Sequence, residues 1–159
     1  MNALAAEVAA ALIARRAMLA TAESCTGGWV SEVLTAIAGS SAWFERGFVT
    51  YSNAAKEEML GVRRATLERH GAVSEPVAEE MALGALAHSH ASMALAVTGI
   101  AGPSGGSVEK PVGTVCFAWA AAGRPARAET RRFSGDREAV RRQSVERALQ
   151  GILELLDLG

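Results

Sequence analysis

The sequence predicts an α/β protein: one three-layer α/β/α domain over residues 1–159, with a mixed, mostly parallel sheet. Three observations lead to this fold class. Half of the 159 residues are hydrophobic, which is enough for one domain with a proper core. Strand-like and helix-like segments alternate in the first part of the chain, as they do in parallel sheets. Two strand-like segments joined by a short turn follow, which predicts an added strand pair.

Apolar spacing identifies the first elements. Residues 3–16 place apolar side chains on one helical face, which predicts a first helix. A short strand is expected near 17–22. It breaks into small polar residues and glycines, after which apolar residues at helical spacing predict a helix over 26–38. A Gly-Ser-Ser break ends that helix, and a second strand is predicted over 43–51.

Helix-start and helix-stop residues define the middle of the chain. Ser52 signals the start of a helix that Gly61 ends, and a short helix is predicted over 64–70. Ser74 is the expected N-cap of a longer helix that runs to about Ser89. The remaining elements are strands over 93–98, 111–121 and 127–133 and a final helix capped by residues 134–136.

Composition excludes several classes of partner. The formal net charge is −1 and there is no long basic run, so nucleic acid is a poor partner. The two cysteines, Cys25 and Cys116, form no disulfide framework or metal-ligand pattern, which favours a reducing compartment. No apolar run reaches membrane length, and Glu7 ahead of Arg15 and Arg16 reverses the charge order of a secretory signal. We expect a soluble, cytoplasmic protein with no membrane partner.

The segment Ala-Glu-Ser-Cys-Thr-Gly-Gly-Trp at 22–29 is the most informative part of the chain. It joins a predicted strand to a predicted helix through a tight turn, so it exposes a side chain at the strand end. Backbone N–H groups at such a junction are free to bind an anion. A hydroxyl nucleophile, Ser24, beside anion-stabilising N–H groups is the arrangement that acyl transfer needs.

A serine nucleophile needs a base, and the histidines do not supply one. His70 lies at a predicted helix end, and His88 and His90 lie in a helix-to-strand connection, away from both glycine-rich loops. A Ser-His-Asp triad is therefore not supported. The spacing of His88 and His90 is also wrong for a metal pair on one helix face, so no metal site is expected.

Lys56 is the better candidate base, because it follows the second strand and can share a sheet edge with Ser24. It would have to be neutral, which requires burial or a nearby cation. A lysine in a helical segment next to Glu57 and Glu58 usually lies on the surface, where water solvates its charge. The residues alone therefore favour a surface position for Lys56. Tyr51 is the single tyrosine, and two roles are open to it. It can orient Lys56 or Ser24, or it can fill the rim of the core, and the residues alone favour the rim.

Two neighbours of Ser24, Cys25 and Thr26, are further candidates for the site. A Cys25 thiolate would be the stronger nucleophile, but adjacent residues in extended chain point to opposite sides. Cys25 is therefore expected to be a small buried hydrophobe, with no histidine to activate it. Thr26 is either a polar pocket residue or the N-cap of the following helix.

The second glycine-rich loop, residues 98–107, allows close backbone approach to a ligand, and its N–H groups could cradle a phosphate. It is neither a Walker loop nor a dinucleotide fingerprint, because no Gly-Lys-Ser/Thr follows and a strand comes next. From the residues alone, a flexible loop without a function is as well supported as a phosphate-binding loop. Lys110 with Arg137 or Arg141 could complete an anion clamp, although exposed helix arginines are commoner.

Six ordered motifs together resemble one known family. They are AESCTGG at 22–28, GFVTYSN at 47–53 with Lys56, GAVS at 71–74, TGIAGP at 98–103, KPVGT at 110–114 and GDR at 135–137. The chain resembles the CinA C-terminal-domain family from about residue 5 to 155, and its stand-alone members in particular. The resemblance implies a compact α/β/α fold.

The activity implied by this resemblance is hydrolysis of nicotinamide mononucleotide to nicotinic acid mononucleotide and ammonia, a step of pyridine nucleotide salvage. The family is described as a serine/lysine amidohydrolase, and Ser24 and Lys56 fall on its motif positions. The resemblance therefore reverses the surface interpretation of Lys56. It implies no metal or cofactor, and a homodimer is the expected assembly.

Other site residues follow from the resemblance more loosely. Tyr51 is expected to join the catalytic network. The residues expected to hold the oxyanion or the substrate are Thr26, Gly27, Gly28, Thr98, Gly99, Gly102, Gly105, Gly106, Lys110, Arg137 and Arg141. Ser104 stands where family members often carry Asp. Serine keeps a side chain that forms turns, but it lacks the negative charge of aspartate.

Two other functions remain open at this point. One is a non-catalytic nucleotide-binding module with a regulatory role linked to competence or DNA damage, although such a pocket has no need of Ser24 or Lys56. The weaker one is phosphoryl transfer, for which no clear carboxylate pair offers itself to Mg²⁺.

Overall fold

A computed structural model describes residues 1–157 of the protein. The helices are α1 (Asn2–Ala14), α2 (Trp29–Thr35), α3 (Asn53–Leu60), α4 (Arg64–His70), α5 (Glu75–Ala87) and α6 (Arg137–Asp157), with a 3-10 turn at Ser40–Ala42. The strands are β1 (Leu19–Glu23), β2 (Phe44–Val49), β3 (Met93–Gly99), β4 (Thr114–Ala121) and β5 (Arg127–Arg132).

The five strands form one sheet in the order β2-β1-β3-β4-β5. The pairs β2/β1 and β1/β3 are parallel, whereas β3/β4 and β4/β5 are antiparallel. The expected mixed sheet is confirmed, with its parallel strands gathered on one side. Glu23 at the end of β1 lies opposite Val49 on β2 and Val97 on β3, so three carboxyl ends meet at one edge.

Helices cover both faces of this sheet, which confirms the three layers. One core contains residues of α1, α2 and α6, and the other contains residues of α3, α4 and α5. Strand side chains alternate between the two cores because successive residues of a strand face opposite ways. The first face carries Leu95, Val97, Phe117 and Trp119. The second carries Ala94, Ala96, Ala118 and Ala120.

Side-chain caps begin three helices where the sequence predicted them. Ser52 and Ser74 each accept a hydrogen bond from a backbone N–H in the first turn, at 3.0 and 3.4 Å. Asp136 does the same for α6 at 2.9 Å. A side-chain oxygen at this position satisfies an N–H that has no partner inside the helix.

The helix predicted over residues 26–38 is shorter in the structure, from Trp29 to Thr35. Gly27 and Gly28 have positive φ angles, +58° and +103°, so the chain makes a turn before it can become helical. The strand predicted from residue 111 begins instead at Thr114, after Gly113 with φ +97°. Among residues 1–157, no helix combines the length and apolar character needed to cross a membrane.

Candidate active site

A cleft of about 260 Å³ opens where the carboxyl ends of the parallel strands meet. The turn after β1 contributes Ser24, the connection after β2 contributes Tyr51, and α3 contributes Lys56. The loop after β3 and Arg137 from α6 close the other side. In open α/β sheets this edge is where ligands bind, because the loops that follow the strands leave a crevice there.

Ser24 and Lys56 are in direct contact. The Lys56 ammonium nitrogen donates to Ser24 Oγ and to the backbone carbonyl of Thr50, both at 3.0 Å. Lys56 is only 1% exposed, so the surface position that the residues alone favoured is wrong. Burial lowers the pKa of its amine, because the charged form loses its hydration. A neutral amine within hydrogen-bond reach of a serine hydroxyl can accept its proton.

Helix α3 delivers the lysine to this position. Ser52 caps the helix through its side chain, and the backbone N–H of Lys56 donates to the Ser52 carbonyl at 3.1 Å. Lys56 therefore lies in the first turn, directly after the end of β2, with its side chain turned back to the strand ends. The cap residue that the sequence identified is thus what places the base.

Glu23, which the sequence analysis did not select, organises the turn that carries Ser24. Its fully buried carboxylate accepts hydrogen bonds from the backbone N–H groups of Val30 and Ser31, at 2.9 and 3.0 Å. It also accepts from the hydroxyls of Thr26 and Ser31, at 2.6 and 2.7 Å. The signal was available in the sequence, since a carboxylate that ends an apolar strand just before a helix is placed to cap that helix.

These bonds change the expected oxyanion site. At the start of α2, the Trp29 N–H donates to the Thr26 carbonyl and the next two N–H groups donate to Glu23. The Gly27 N–H donates to the Ser24 carbonyl at 3.0 Å. Within residues 1–157, the N–H groups of Cys25, Thr26 and Gly28 donate to no protein acceptor, and of these three residues Cys25 borders the cleft. Thr26, Gly27 and Gly28 do not border the cleft, so the expectation that they hold the oxyanion or the substrate is not met.

Cys25 also borders the cleft, because β1 ends at Glu23 and the extended alternation stops there. Its thiol packs tightly against the chain at the end of β3, where a Cβ added to Gly99 would lie 3.1 Å from the sulfur. Burial raises the pKa of this thiol to about 12, so it stays protonated at neutral pH. Cys25 is thus the small buried hydrophobe that the sequence predicted.

The two late arginines have different surroundings. Arg137 borders the cleft and donates to the Gly102 carbonyl at 2.7 Å and to the Tyr51 hydroxyl at 3.1 Å. Arg141 lies outside the cleft and donates to the carbonyls of Cys25 and Thr26, both at 3.1 Å. The structure therefore brings Arg137 to the cleft and not Arg141, against the expectation that Arg141 binds substrate directly.

Tyr51 lies at the rim of the cleft, 62% exposed. Among residues 1–157, its hydroxyl makes one hydrogen bond, which it accepts from Arg137. The structure does not bring it into hydrogen-bond contact with Ser24 or Lys56. Of the three residues expected to form a catalytic network, the structure brings Ser24 and Lys56 into contact, and Tyr51 is paired with Arg137 instead.

Only part of the second glycine-rich loop reaches the cleft. Thr98, Gly99 and Gly102 border it, and the Thr98 hydroxyl is held by donation to the Ala72 carbonyl at 3.0 Å. Gly105 and Gly106 are exposed and do not border it, so the expectation for these two glycines is not met. The loop turns toward solvent after Ser104, which does border the cleft together with Asn53, Ala72, Val73, Ile100 and Ala101.

Lys110 is not part of the cleft either. Its ammonium donates to the His70 carbonyl at 2.6 Å, and its side chain borders a separate groove beside β4 and β5. The clamp expected from Lys110 and an arginine is therefore not formed. Among residues 1–157, no group of three or more His, Cys, Asp or Glu side chains is arranged to hold a metal ion.

Known proteins are similar to this chain in sequence and in fold. The family model described as CinA C-terminal domain matches residues 1–156. The chain is 63% identical over 144 residues to nicotinamide-nucleotide amidohydrolase PncC of Escherichia coli K12, covering 91% of this chain and 87% of that protein. The protein of the same name from Pseudomonas putida is 56% identical over 139 residues, with coverage of 87% and 86%.

Solved structures agree with these relatives. A competence/damage inducible protein from Agrobacterium tumefaciens superposes with a TM-score of 0.94 at 47% identity, covering 98% of this chain and 94% of that one. A CinA superfamily protein from Klebsiella pneumoniae gives a TM-score of 0.95 at 44% identity, with coverage of 99% and 98%. The chain therefore belongs to the CinA C-terminal domain family.

Proposed function

We propose that this chain is a nicotinamide-nucleotide amidase that hydrolyses nicotinamide mononucleotide to nicotinic acid mononucleotide and ammonia. The observation that carries the proposal is the buried contact of 3.0 Å between Lys56 Nζ and Ser24 Oγ. It occurs in a chain 63% identical to a protein named for this reaction. A pocket that only binds a nucleotide has no use for a buried amine on a serine hydroxyl, so the regulatory module is the weaker candidate.

The first half of the reaction is acylation of Ser24. Neutral Lys56 takes the Ser24 proton while Oγ bonds to the carboxamide carbon, and the carbonyl electron pair moves onto oxygen to give a tetrahedral oxyanion. Collapse of this intermediate breaks the carbon–nitrogen bond. The proton on Lys56 passes to the departing nitrogen, which leaves as ammonia, and an ester of Ser24 remains.

The second half repeats this chemistry with water. Lys56, neutral again, takes a proton from water as the oxygen attacks the ester carbon, and a second oxyanion forms. Collapse breaks the bond to Ser24 Oγ, which takes the proton back. The Thr50 carbonyl, 3.0 Å from Lys56 Nζ, keeps the amine aimed at the serine throughout. Both the base and the nucleophile are side chains, so the scheme uses no metal or cofactor.

Backbone N–H groups of the turn are the proposed oxyanion donors. Among them, the Cys25 N–H belongs to a residue that borders the cleft and donates to no protein acceptor within residues 1–157, whereas the Val30 and Ser31 N–H groups are held by Glu23. Removal of one such donor costs roughly 3–4 kcal/mol of transition-state stabilisation in well-studied enzymes. We therefore assign the binding of the oxyanion to the turn after β1 and not to the start of the following helix.

Arg137 is the proposed contact for the phosphate of the mononucleotide. It is the arginine that borders the cleft, and its guanidinium can offer two parallel N–H donors to phosphate oxygens. Tyr51 is close enough to accept a hydrogen bond from it at 3.1 Å, so ligand binding would compete with this pair. Thr98, Gly99 and Gly102 shape the wall beside it.

The setting proposed for this activity is pyridine nucleotide salvage in the cytoplasm, with the enzyme acting as a homodimer. The substrate is a phosphorylated metabolite, which suits an enzyme inside the cell. Both cysteines, Cys25 and Cys116, are unpaired and buried, as expected in a reducing compartment. Nucleic acid and membranes are not expected as partners.

The test is ammonia release from nicotinamide mononucleotide by the wild type and by Ser24→Ala and Lys56→Ala, each checked for folding by circular dichroism. We expect the wild type to turn over without added metal and in the presence of EDTA. Each variant should lose activity by roughly 10³-fold or more, because the nucleophile and its base act as a unit.

Arg142→Met is the matched control, because Arg142 is an exposed residue of α6 whose guanidinium, among residues 1–157, is paired with Glu138. It should keep wild-type turnover. A wild type that binds the mononucleotide but releases no ammonia would establish the binding module instead. Activity that survives in Ser24→Ala would keep the amidase and remove the serine mechanism.

A further inference from the structure

Thr98 lies beside the nucleophile at the edge of the sheet. The Ser24 N–H donates to the Val97 carbonyl at 3.0 Å, so the parallel pairing of β1 with β3 continues one residue past the end of β1. The next pair in this register is Ser24 and Thr98, and both residues border the cleft. Neighbouring strands lie roughly 4.8 Å apart, so a group bound at Ser24 is within reach of the Thr98 side chain.

The two residues also belong to the same face of the sheet. The alanines that precede them by two and four residues on β1 and β3 all face the core that contains α3, α4 and α5. Alternate residues of a strand share a face, so Thr98 continues the row of alanines on β3. Lys56 approaches from α3, on this same side, to bind Ser24 Oγ.

The Thr98 hydroxyl has already committed its proton. Its Oγ1 lies 3.0 Å from the Ala72 carbonyl oxygen, and the hydroxyl must be the donor because a carbonyl can only accept. Thr98 is 1% exposed, and within residues 1–157 the Ala72 carbonyl has no other donor. Turning the hydroxyl away would leave this carbonyl without a partner, which is costly in a buried position. Thr98 therefore offers a ligand its lone pairs, as an acceptor.

The cleft thus presents a donor and an acceptor next to the nucleophile. The donor is the Cys25 N–H, which is bound to no protein acceptor within residues 1–157, and the acceptor is Thr98 Oγ1. A carboxamide carries the complementary pair on one carbon: an oxygen that accepts and a nitrogen with two N–H donors. Its oxygen matches the Cys25 N–H, and its nitrogen matches Thr98.

We propose that Thr98 is a specificity-determining residue that accepts a hydrogen bond from the carboxamide nitrogen and so selects the amide. This role rests on the proposed amidase function. The bond to Thr98 leaves the nitrogen lone pair of the tetrahedral intermediate free to take the proton from Lys56. The carbon–nitrogen bond then breaks, its electron pair goes to nitrogen, and ammonia leaves.

The same acceptor disfavours the product. Nicotinic acid mononucleotide carries a carboxylate oxygen where the substrate carried its NH₂ group, so two acceptors would face each other at Thr98. An ester in place of the amide has the same defect, because it has no N–H at this position. The reading of N–H groups can therefore be measured by comparing an amide with an ester of the same nucleotide.

The experiment measures kcat/KM for nicotinamide mononucleotide and for the methyl ester of nicotinic acid mononucleotide. Both are hydrolysed to nicotinic acid mononucleotide, which is quantified by chromatography. Thr98→Val keeps the shape of the side chain and removes the hydroxyl. We expect this variant to lose roughly 10- to 100-fold on the amide, whose N–H is left unpaired, and less than about threefold on the ester.

Thr114→Val is the matched control. Thr114 is 2% exposed, its hydroxyl also donates to a backbone carbonyl, that of Pro111, and it does not border the cleft. Both substrates should keep kcat/KM within about threefold in this variant. Thr98→Ser keeps the hydroxyl and should keep the wild-type ratio of amide to ester.

Equal losses of Thr98→Val on amide and ester would mean that Thr98 supports the wall at Ala72 and does not select the amide. An unchanged kcat/KM on the amide would overturn the role as well. A wild type that forms no acid from nicotinamide mononucleotide overturns the amidase itself, whatever the Thr98 variants do. If Thr98→Val does not fold, Thr98→Ala decides by the same ratio.

Discussion

At the scale of single residues, the environment of Lys56 determines what the cleft can do. An exposed lysine is charged at neutral pH and cannot act as a base. Lys56 is 1% exposed, and within residues 1–157 its amine has two hydrogen-bond acceptors and no carboxylate partner. Its pKa is lowered because burial penalises the ammonium form. The same burial that costs stability therefore makes the amine available to Ser24.

The pH dependence of the reaction follows from this shift. The active form has neutral Lys56, so kcat/KM should rise with pH and level off once the amine has lost its proton. Because burial lowers the pKa of Lys56, the midpoint of the rise should lie below the ordinary value of 10.5. The measurement is the pH profile of ammonia release at low substrate concentration.

Lys56→Arg is the comparison for this profile. A guanidinium stays protonated throughout the accessible range, so this variant should be inactive at every pH rather than shifted. A wild-type profile that falls over the range where the amine loses its proton would contradict the role of Lys56 as a base. The same conclusion would follow if Lys56→Arg retained activity.

At the scale of elements, the connection from β1 to α2 is held from two sides. Glu23 binds the N–H groups at the start of α2, and Arg141 binds the carbonyls of the turn. Gly27 and Gly28 supply the positive φ angles that let the chain reverse between these anchors. Ser24 lies between the anchored strand end and the anchored turn, so its position depends on both.

Glu23→Gln tests the first anchor. The amide keeps the size of the side chain but replaces one acceptor oxygen by a donor facing N–H and O–H groups. We expect the free energy of unfolding, measured in urea, to fall by about 1–3 kcal/mol, which is the usual cost of an unsatisfied buried polar group. Turnover should fall as well, because the turn beside Ser24 loses its support.

Glu32→Gln is the control for this change, since Glu32 is an exposed acidic residue in the first turn of the same helix. This substitution should lower the free energy of unfolding by only about 0.3–1 kcal/mol, because it removes the interaction of a negative charge with the helix dipole. Equal losses in the two variants would show that Glu23 contributes nothing beyond its charge near the helix start.

At the scale of the whole molecule, the two faces of the sheet are packed in different ways. Alanines on one face let α5 approach closely, whereas large side chains on the other face meet α1 and α6. Trp119 is a large, fully buried side chain on the face that meets α1 and α6. Its ring nitrogen donates to the Ala148 carbonyl at 2.9 Å, and α6 passes over the ring at Gly151.

Gly151→Ala tests this packing. A Cβ at Gly151 would overlap the Trp119 ring, so the helix or the ring must move. Overpacking of this kind costs about 1–3 kcal/mol, and the better helix propensity of alanine returns at most about 1 kcal/mol. We expect a lower free energy of unfolding, measured in urea.

Gln150→Ala is the matched control, because Gln150 is the exposed neighbour on the same helix. It should be neutral or slightly stabilising. Because α6 also carries Arg137 and Arg141, a displaced helix should lower turnover together with stability. A Gly151→Ala protein as stable as the wild type would mean that α6 has room to shift over the sheet.

Local signals in the sequence account for much of this fold. Ser52, Ser74 and Asp136 cap helices where they were expected to, because a cap depends only on neighbouring residues. The start of α2 was predicted three residues early. The reason is also local: Gly27 and Gly28 adopt positive φ, which an apolar pattern does not register.

The sequence alone determined the order of the elements, the mixed sheet, the serine turn and the motifs that pointed to the family. The tertiary structure decided the depth of Lys56, the separate positions of Arg137 and Arg141, the exclusion of Lys110 from the cleft and the role of Glu23. Capping, turns and apolar periodicity are properties of short segments, which sequence reasoning can follow. Burial and partnership of a charged side chain depend on residues that are distant along the chain and adjacent only after folding.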